Sequence, residues 1–304
     1  MYTYQEILNR YAGSLHVEVF NAVAKFHLPL LVDPVWAPTN VAGTAFQYMV
    51  SSGVIDSLGN NAVGYGVVGT VDVPLGKGAN SSVRRDCYEA KAIISIDAQN
   101  YETSPDKERF LVSEITAGTA GVGLRIVKEI FTNTTSGFPW FLINGGNVEL
   151  IPVVEASDST GETAWLVSWS PGTSVLVYPQ ELPVGLEIQE PVKTLIQTGS
   201  NRYTLGYAIQ VSWKTAVACK SLGSAVAITG ITENDPLTYS VFVEALSYLN
   251  RVGRLCLYAS PQVMAGLRKS LVGSVSIAQM NDPSGIGTPI ETLNGVVLRE
   301  VLFT

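Results

Sequence analysis

Few residues in this chain of 304 amino acids could carry out acid–base or metal chemistry. It contains two histidines, His16 and His27, and neither lies beside a pair of carboxylates. A zinc site needs three or four protein ligands, and acid–base catalysis needs a partner group within hydrogen-bond reach. The sequence contains no HExxH metal motif, no GxSxG nucleophile elbow and no phosphate-binding P-loop. It therefore predicts no catalytic residue, no cofactor and no metal ligand.

A glycine-rich run from Gly118 to Gly123 superficially suggests a phosphate-binding loop. Its glycines follow the order GxxGxG, whereas the dinucleotide fingerprint is GxGxxG and lies between a strand and a helix. This run instead falls inside a pattern of apolar residues with helical spacing. We therefore interpret the glycines, Gly121 included, as positions where a helix packs closely against a neighbouring element.

Two further residue types have reactive side chains. Lys77 lies between two glycines at the tip of a predicted hairpin, where it could form an isopeptide crosslink with an asparagine of a neighbouring subunit. The sequence shows no matching asparagine and carboxylate, so a solvated turn lysine is the favoured interpretation. Cys87, Cys219 and Cys256 are odd in number and form no CxxC pair, which predicts small buried thiols in a reducing compartment.

The charge balance argues against direct recognition of nucleic acid. The formal net charge is −7 and charged residues make up 15% of the chain, against about a quarter in an ordinary soluble domain. Proteins that bind duplex DNA usually carry clustered lysine and arginine. So few charges predict either extensive burial between subunits or simply a large core. We favour burial between subunits.

The first half of the chain predicts an arm, a β-hairpin and a long helix. Residues 1–35 contain a short helix from Tyr4 to Ala12 and then an apolar, loop-like stretch, which we interpret as an arm outside the core. Alternating apolar residues and many glycines between 41 and 97 predict an extended hairpin. Ser104 as N-cap, with Pro105 at the first helical position, predicts a helix that runs to about Phe131.

The second half predicts a β-layer followed by an α/β layer. Strands are expected between 163 and 229, with Tyr203 to Trp213 as a strand pair that Thr215 to Ser221 completes. Helices are expected after the cap signals Asp235-Pro236 and Ser260-Pro261, on either side of a buried strand at Leu255–Tyr258. Asn294-Gly295 predicts a closing hairpin.

Three stretches of sequence resemble a known family of proteins. The first is Asp86–Asp97; the second is Ala164–Trp169 with Pro179–Gly185 and Gly206–Cys219; the third is Leu255–Leu267 with Thr292–Arg299. In this order they resemble the Hong Kong 97 capsid fold, and more narrowly the major capsid proteins of short-tailed, epsilon-fifteen-like phages.

The resemblance implies an α+β fold of four parts. These are an N-terminal arm at 1–40, an E-loop at 41–97, a spine helix with the P domain at 98–235, and an A domain at 236–304. The arm and the E-loop would reach over neighbouring subunits.

The resemblance also implies a structural function without enzymatic activity. Copies would assemble into the pentamers and hexamers of an icosahedral shell, which encloses double-stranded phage DNA without sequence-specific contact. Scaffolding, portal and decoration proteins would be partners, with scaffolding supplied by a separate protein, and no membrane would be involved. Assembly would take place in the host bacterial cytoplasm, and the mature location would be the virion. An encapsulin-like cellular shell and an α/β hydrolase are the alternatives. The hydrolase is disfavoured because the chain has so few histidines and no nucleophile motif.

Overall fold

The computed structural model describes residues 1–26, 28–39, 45–51, 54–55, 61–62, 80–134, 137–144, 151–157, 160–199, 202–271, 278–281 and 289–301. Within these residues the helices are α1 (Tyr4–Arg10), α2 (Leu15–Phe26), α3 (Ala98–Thr103), α4 (Lys107–Thr132), α5 (Pro139–Asn144), α6 (Tyr239–Tyr248) and α7 (Pro261–Ser270). The first strands are β1 (Trp36–Pro38), β2 (Ala45–Ser51), β3 (Val54–Ile55), β4 (Asn61–Ala62), β5 (Asn80–Asp86), β6 (Tyr88–Asp97), β7 (Val153–Glu155), β8 (Glu162–Trp169) and β9 (Ser174–Tyr178). They are followed by β10 (Leu186–Ile188), β11 (Val192–Gly199), β12 (Arg202–Cys219), β13 (Ala225–Ile231), β14 (Arg254–Ala259), β15 (Ala278–Asn281), β16 (Pro289–Leu293) and β17 (Val296–Glu300).

One mixed sheet of thirteen strands organises the molecule. Its main path runs β10-β12-β9-β8-β14-β17-β16-β15, and β1, β6, β7, β11 and β13 pair alongside that path. Helices α2, α3 and α4 lie against the β6–β12 end, whereas α6 lies against β7 and β13 at the other end. The predicted α+β class is confirmed, because one sheet carries both parallel and antiparallel pairs and is covered by helices.

Strand β12 joins the two ends of the sheet. Its first part pairs with β11 and β6, and residues 216–219 pair with β9. The prediction of a strand pair in this stretch was wrong, since Arg202–Cys219 is one continuous strand of 18 residues. Gly206 does not mark a turn: a Cβ atom there would lie 2.2 Å from the Cδ1 of Ile196, which lies over the glycine.

The long helix α4 begins two residues later than the sequence predicted. Asp106 is its N-cap, and its carboxylate accepts a 3.0 Å hydrogen bond from the backbone N–H of Arg109. The Ser104 hydroxyl instead donates to the carbonyl oxygen of Asp106, and Ser104 itself ends the short helix α3. The N–H of Arg109 has no partner within the helix, and the Asp106 carboxylate satisfies it. Asp106 therefore has the capping role that the sequence predicted for Ser104.

The apolar stripe of α4 faces the sheet as predicted. Ile115, Val122, Ile126 and Ile130 are all buried, and Leu111 is partly buried. By length and hydropathy α4 could also cross a membrane, a property that it shares with the core helices of globular proteins. Its buried stripe supports the second interpretation.

The three α4 glycines have different surroundings. A Cβ atom on Gly118 would lie 2.4 Å from the Ile94 side chain, and one on Gly123 would lie 2.6 Å from Leu28 and 3.0 Å from Trp213. Gly121 is exposed, with no atom within 4 Å of such a Cβ. The predicted close packing is therefore confirmed at Gly118 and Gly123 but wrong at Gly121, which lies on the side of the helix away from the sheet.

This difference predicts opposite effects of the same substitution on the isolated subunit. Gly121→Leu should raise the free energy of unfolding by up to about 1 kcal/mol, because leucine favours the helix and meets no neighbour. Gly123→Leu should lower it by about 1–3 kcal/mol, because the added side chain overpacks the buried Trp213. Chemical denaturation of both variants measures the difference, and equal shifts would contradict the assignment of contacts.

The N-terminal residues belong to the core of their own subunit. Phe20, Val23 and Leu31 are fully buried, and Trp36 pairs in β1 with Leu176 of β9. The prediction of a loop-like arm outside the core was wrong for residues 1–39. Residues 15–26 form a helix with one apolar face, which packs against α4, and the prolines lie at its end and beyond.

The C-terminal section contains the predicted helices and hairpin, but one helix begins later than predicted. Helix α6 is capped by Thr238, whose hydroxyl accepts from Val241 N–H, so the predicted cap at Asp235-Pro236 lies too early. Ser260 caps α7 as predicted. Asn294 and Gly295 both have positive φ angles between β16 and β17, as a tight hairpin requires.

Candidate assembly surfaces

The described residues show no group of three or more histidine, cysteine, aspartate or glutamate side chains arranged to hold a metal ion. His16 is half-buried, and its Nε2 accepts a 3.4 Å hydrogen bond from the backbone N–H of Ile188. Burial lowers the pKa of His16, although the charge of Glu187 opposes that shift. His16 therefore joins α2 to β10 as a neutral structural group. His27 lies outside the described residues.

The three cysteines and Lys77 are the residues with side chains suited to covalent chemistry. Cys219 and Cys256 are buried free thiols, as predicted, and Cys87 is half-buried with its sulfur 3.8 Å from the carbonyl oxygen of Val177. Burial raises the pKa of the Cys256 thiol, which keeps it protonated and unreactive. Lys77 lies outside the described residues.

A buried cluster of charges fixes the N-terminal segment to the sheet. The Asp33 side chain is fully buried, and both of its carboxylate oxygens accept 2.8 Å hydrogen bonds from Arg299 of β17. Arg254 of β14 forms an ion pair with the same carboxylate at 2.7 Å, and the Tyr258 hydroxyl donates to it at 3.3 Å. Burial lowers the pKa of Arg299, but the Asp33 carboxylate outweighs this effect and raises it.

Sequence reasoning missed this charge cluster. Asp33 lies more than 200 residues from its partners in the sequence, and no local pattern connects it to them. The one available signal was Asp33 itself, a carboxylate within an otherwise apolar stretch. Buried carboxylates almost always have a cationic partner, so that position could have been marked for one.

A two-stranded projection extends from the sheet. Strand β6 ends at Asp97, opposite Gly206, so residues 195–199 of β11 and 202–205 of β12 continue with only each other as partners. Leu195 and Leu205 lie directly opposite one another and expose 66% and 46% of their surfaces. Tyr203 lies on the same face and is 62% exposed. An apolar cluster on a projecting hairpin is typical of a surface that becomes buried against another protein.

The face of the β6–β12 sheet opposite α3 and α4 combines apolar and ionic groups among the described residues. Ile93 and Val192 are exposed on this face. Nearby, Lys214 contacts Glu89 at 3.2 Å and Glu187 at 3.5 Å. Burial lowers the pKa of Lys214, but these two carboxylates outweigh it and raise the pKa. The lysine therefore stays charged. This face offers a second broad surface for contacts between proteins.

The predicted E-loop begins and ends in a paired hairpin. Strands β2 and β5 pair antiparallel from Ala45 opposite Asp86 to Ser51 opposite Asn80, in a sheet of their own. The hairpin prediction is confirmed for these residues. A two-stranded sheet is marginally stable by itself, because it cannot bury much apolar surface.

This separation predicts a change in amide protection upon assembly. Amides of 45–51 and 80–86 should exchange rapidly in isolated subunits and slowly in assembled particles, because neighbours would cover a sheet that is weak alone. Amides of the buried part of β12 should be protected in both states and provide the control. Hydrogen exchange with mass spectrometry measures this, and equal protection of the hairpin in both states would contradict the interpretation.

No protein-family model and no curated protein matches the sequence. Among solved structures, a chain of bacteriophage Epsilon15 superposes with a TM-score of 0.57 at 17% sequence identity, covering 88% of this chain and 85% of that chain. The chain therefore shares the fold of that Epsilon15 chain. Procapsid protein of bacteriophage JBD30 matches with a TM-score of 0.44 at 12% identity and covers 98% and 99% of the two chains. The SrpI encapsulin complex from Synechococcus elongatus PCC 7942 matches with a TM-score of 0.39 at 10% identity over 66% and 86%.

The elements follow a definite order around the sheet. A separate hairpin precedes a long helix, the helix packs on the β6–β12 end, and α6 and α7 cover the other end. The boundaries at residues 40, 97 and 235 remain predictions, since the thirteen-stranded sheet is continuous across the last of them.

Proposed function

We propose that this chain is the major capsid protein of a tailed, short-tailed bacteriophage. Copies of it assemble into pentamers and hexamers, and these close into an icosahedral shell around double-stranded DNA. The observation that carries the proposal is the fold, shared with an Epsilon15 chain over most of both chains. The exposed apolar hairpin supports it, because that surface needs a partner.

The role is structural, and each part of the chain contributes a surface. The E-loop (41–97) reaches a neighbouring subunit with its hairpin, while its last strand, β6, stays paired with β12 of its own subunit. The P domain with its spine helix (98–235) supplies the projecting hairpin. The A domain (236–304) lines the centre of each ring. Residues 1–40 act differently from a reaching arm, since Asp33 and Trp36 anchor this segment in the subunit's own sheet.

Further components of the virion are part of the proposal. A scaffolding protein directs closure of the shell, a portal occupies one vertex, and decoration proteins bind outside. Assembly takes place in the cytoplasm of the host bacterium. The DNA is enclosed without sequence-specific contact, because an acidic chain with a net charge of −7 repels phosphate.

Native mass spectrometry and a gel-shift assay test this function. The purified chain should form species of five and six times the 32.5 kDa subunit mass, and it should not retard duplex DNA at physiological salt. A protein that stays monomeric even with the other components of its virion present would contradict the proposal. An encapsulin-like shell would give the same oligomers, but particles from its native cells would contain an enzyme cargo in place of DNA.

A further inference from the structure

The two ends of α6 differ in shape and in charge. At its first end, the backbone N–H of Tyr239 donates to Ser270 of α7 at 2.9 Å. At its last end, the backbone N–H of Asn250 donates to Gly223 at 2.8 Å. Ten helical residues separate these anchors by roughly 15 Å. The two ends are therefore separate surfaces of one subunit.

A cavity of about 590 Å³ lies at the first end. It is formed by the end of β13, the segment before α6, and α7. Glu162, Glu233 and Lys269 contribute charges to its lining, and all three residues are exposed. The Glu233 carboxylate accepts a 3.0 Å hydrogen bond from Gln262 of α7, which holds it at the mouth. This is a concave surface with an excess of one negative charge.

An apolar protrusion lies at the last end. Tyr248 and Val252 are each 53% exposed and Leu222 is 48% exposed, and the Leu222 loop packs against the end of α6 through Gly223. Arg251 lies among them, and its Nε and Nη2 donate to the carbonyl oxygen of Leu246 at 3.2 Å. These contacts hold the guanidinium at the last end of α6, beside the exposed apolar side chains. The protrusion is therefore apolar and carries the positive charge of Arg251.

We infer that the protrusion of one copy inserts into the cavity of the next copy, with Arg251 facing Glu233. This inference rests on the proposed function. Glu244, one turn before Tyr248, supplies an acidic partner for Lys269, so both signs of charge are matched. An aromatic side chain beside an arginine is the usual anchor of a protein interface.

The proposed function selects the symmetry of the contact. When each copy uses its protrusion on one neighbour and its cavity on another, the contact is heterologous, repeats from copy to copy and forms a ring where the rotation closes. This geometry produces pentamers and hexamers from one interface with a small change in angle. A two-fold dimer would use the same contact twice, each protrusion in the other copy's cavity, and assembly would stop at the dimer.

A charge exchange tests the contact. Arg251→Glu and Glu233→Arg should each lower the yield of five-fold and six-fold species by about tenfold, because each places like charges opposite each other. The double variant should restore the yield to about that of the unaltered protein, since the pair is reformed in reverse. Glu190→Arg, an exposed reversal outside both surfaces, is the control. Native mass spectrometry measures the species, and circular dichroism confirms that each variant is folded.

A second measurement does not depend on the folding of the charge variants. Tyr248→Cys combined with Gln262→Cys should give a disulfide ladder from dimer to hexamer on non-reducing gels, whereas either substitution alone should not. Two results would overturn the contact, provided that the unaltered protein still forms rings. One is a double charge variant that forms as few rings as the worse single variant, and the other is the absence of a disulfide ladder. Absence of rings from the unaltered protein would overturn the proposed function as well.

Discussion

Asp33→Asn is expected to lower the free energy of unfolding of the subunit by about 3–5 kcal/mol. The Asp33 carboxylate is fully buried. Both of its oxygens accept hydrogen bonds from Arg299, and one of them also forms an ion pair with Arg254. Without its charge, two largely buried guanidinium groups would lose their counterion, and they cannot move fully into water. The effect should be large, because this carboxylate joins the N-terminal segment to two strands from the end of the chain.

Chemical denaturation monitored by tryptophan fluorescence measures this loss. Glu102→Gln is the matched control, because it also removes an ion pair, in this case the 3.1 Å contact with Lys193. Both side chains of that pair are about half exposed. An exposed pair contributes about 0–1 kcal/mol, so the control should change little. If the two variants were equally stable, Asp33 would not anchor the N-terminal segment.

Leu195→Glu combined with Leu205→Lys is expected to abolish assembly and leave the isolated subunit folded. The two leucines face each other on the projecting hairpin and are largely exposed, so the subunit loses little buried surface. Opposite charges at directly paired positions preserve the attraction between the strands. Within an assembled interface, in contrast, both charges would lose their water, and the cost of desolvating an ion pair can exceed the attraction between its members.

Sedimentation velocity and thermal unfolding separate these two effects. Only subunits should sediment, and the unfolding temperature should stay close to that of the unaltered protein. Gln180→Glu, at an exposed position outside the hairpin, is the control for added charge. Normal particles from the double variant would show that this face of the hairpin lies outside every contact between subunits.

Local signals in the sequence predicted local structure well. Ser260 followed by proline caps a helix, Asn294-Gly295 closes a hairpin, and the apolar stripe of α4 is buried. Each of these features depends on residues within one or two turns of each other, so a single pattern contains the information.

Features that depend on distant partners could not be predicted in this way. From the sequence alone, the apolar N-terminal stretch resembles an arm. In the structure it belongs to the core, because β9 and α4 bury Phe20 and Trp36. Gly121 and Gly123 are the same residue type two positions apart, and the positions of Leu28 and Trp213 distinguish them. The Asp33 cluster and the cavity beside α7 likewise arise from the tertiary arrangement.

Electron microscopy of the purified, concentrated protein tests the central proposal most directly. We expect closed, hollow shells of one uniform diameter, built from five-fold and six-fold rings. The protein should form them either alone or together with its scaffolding protein. Particles that never close, or a protein that remains monomeric with every component of its own virion present, would contradict the proposed function.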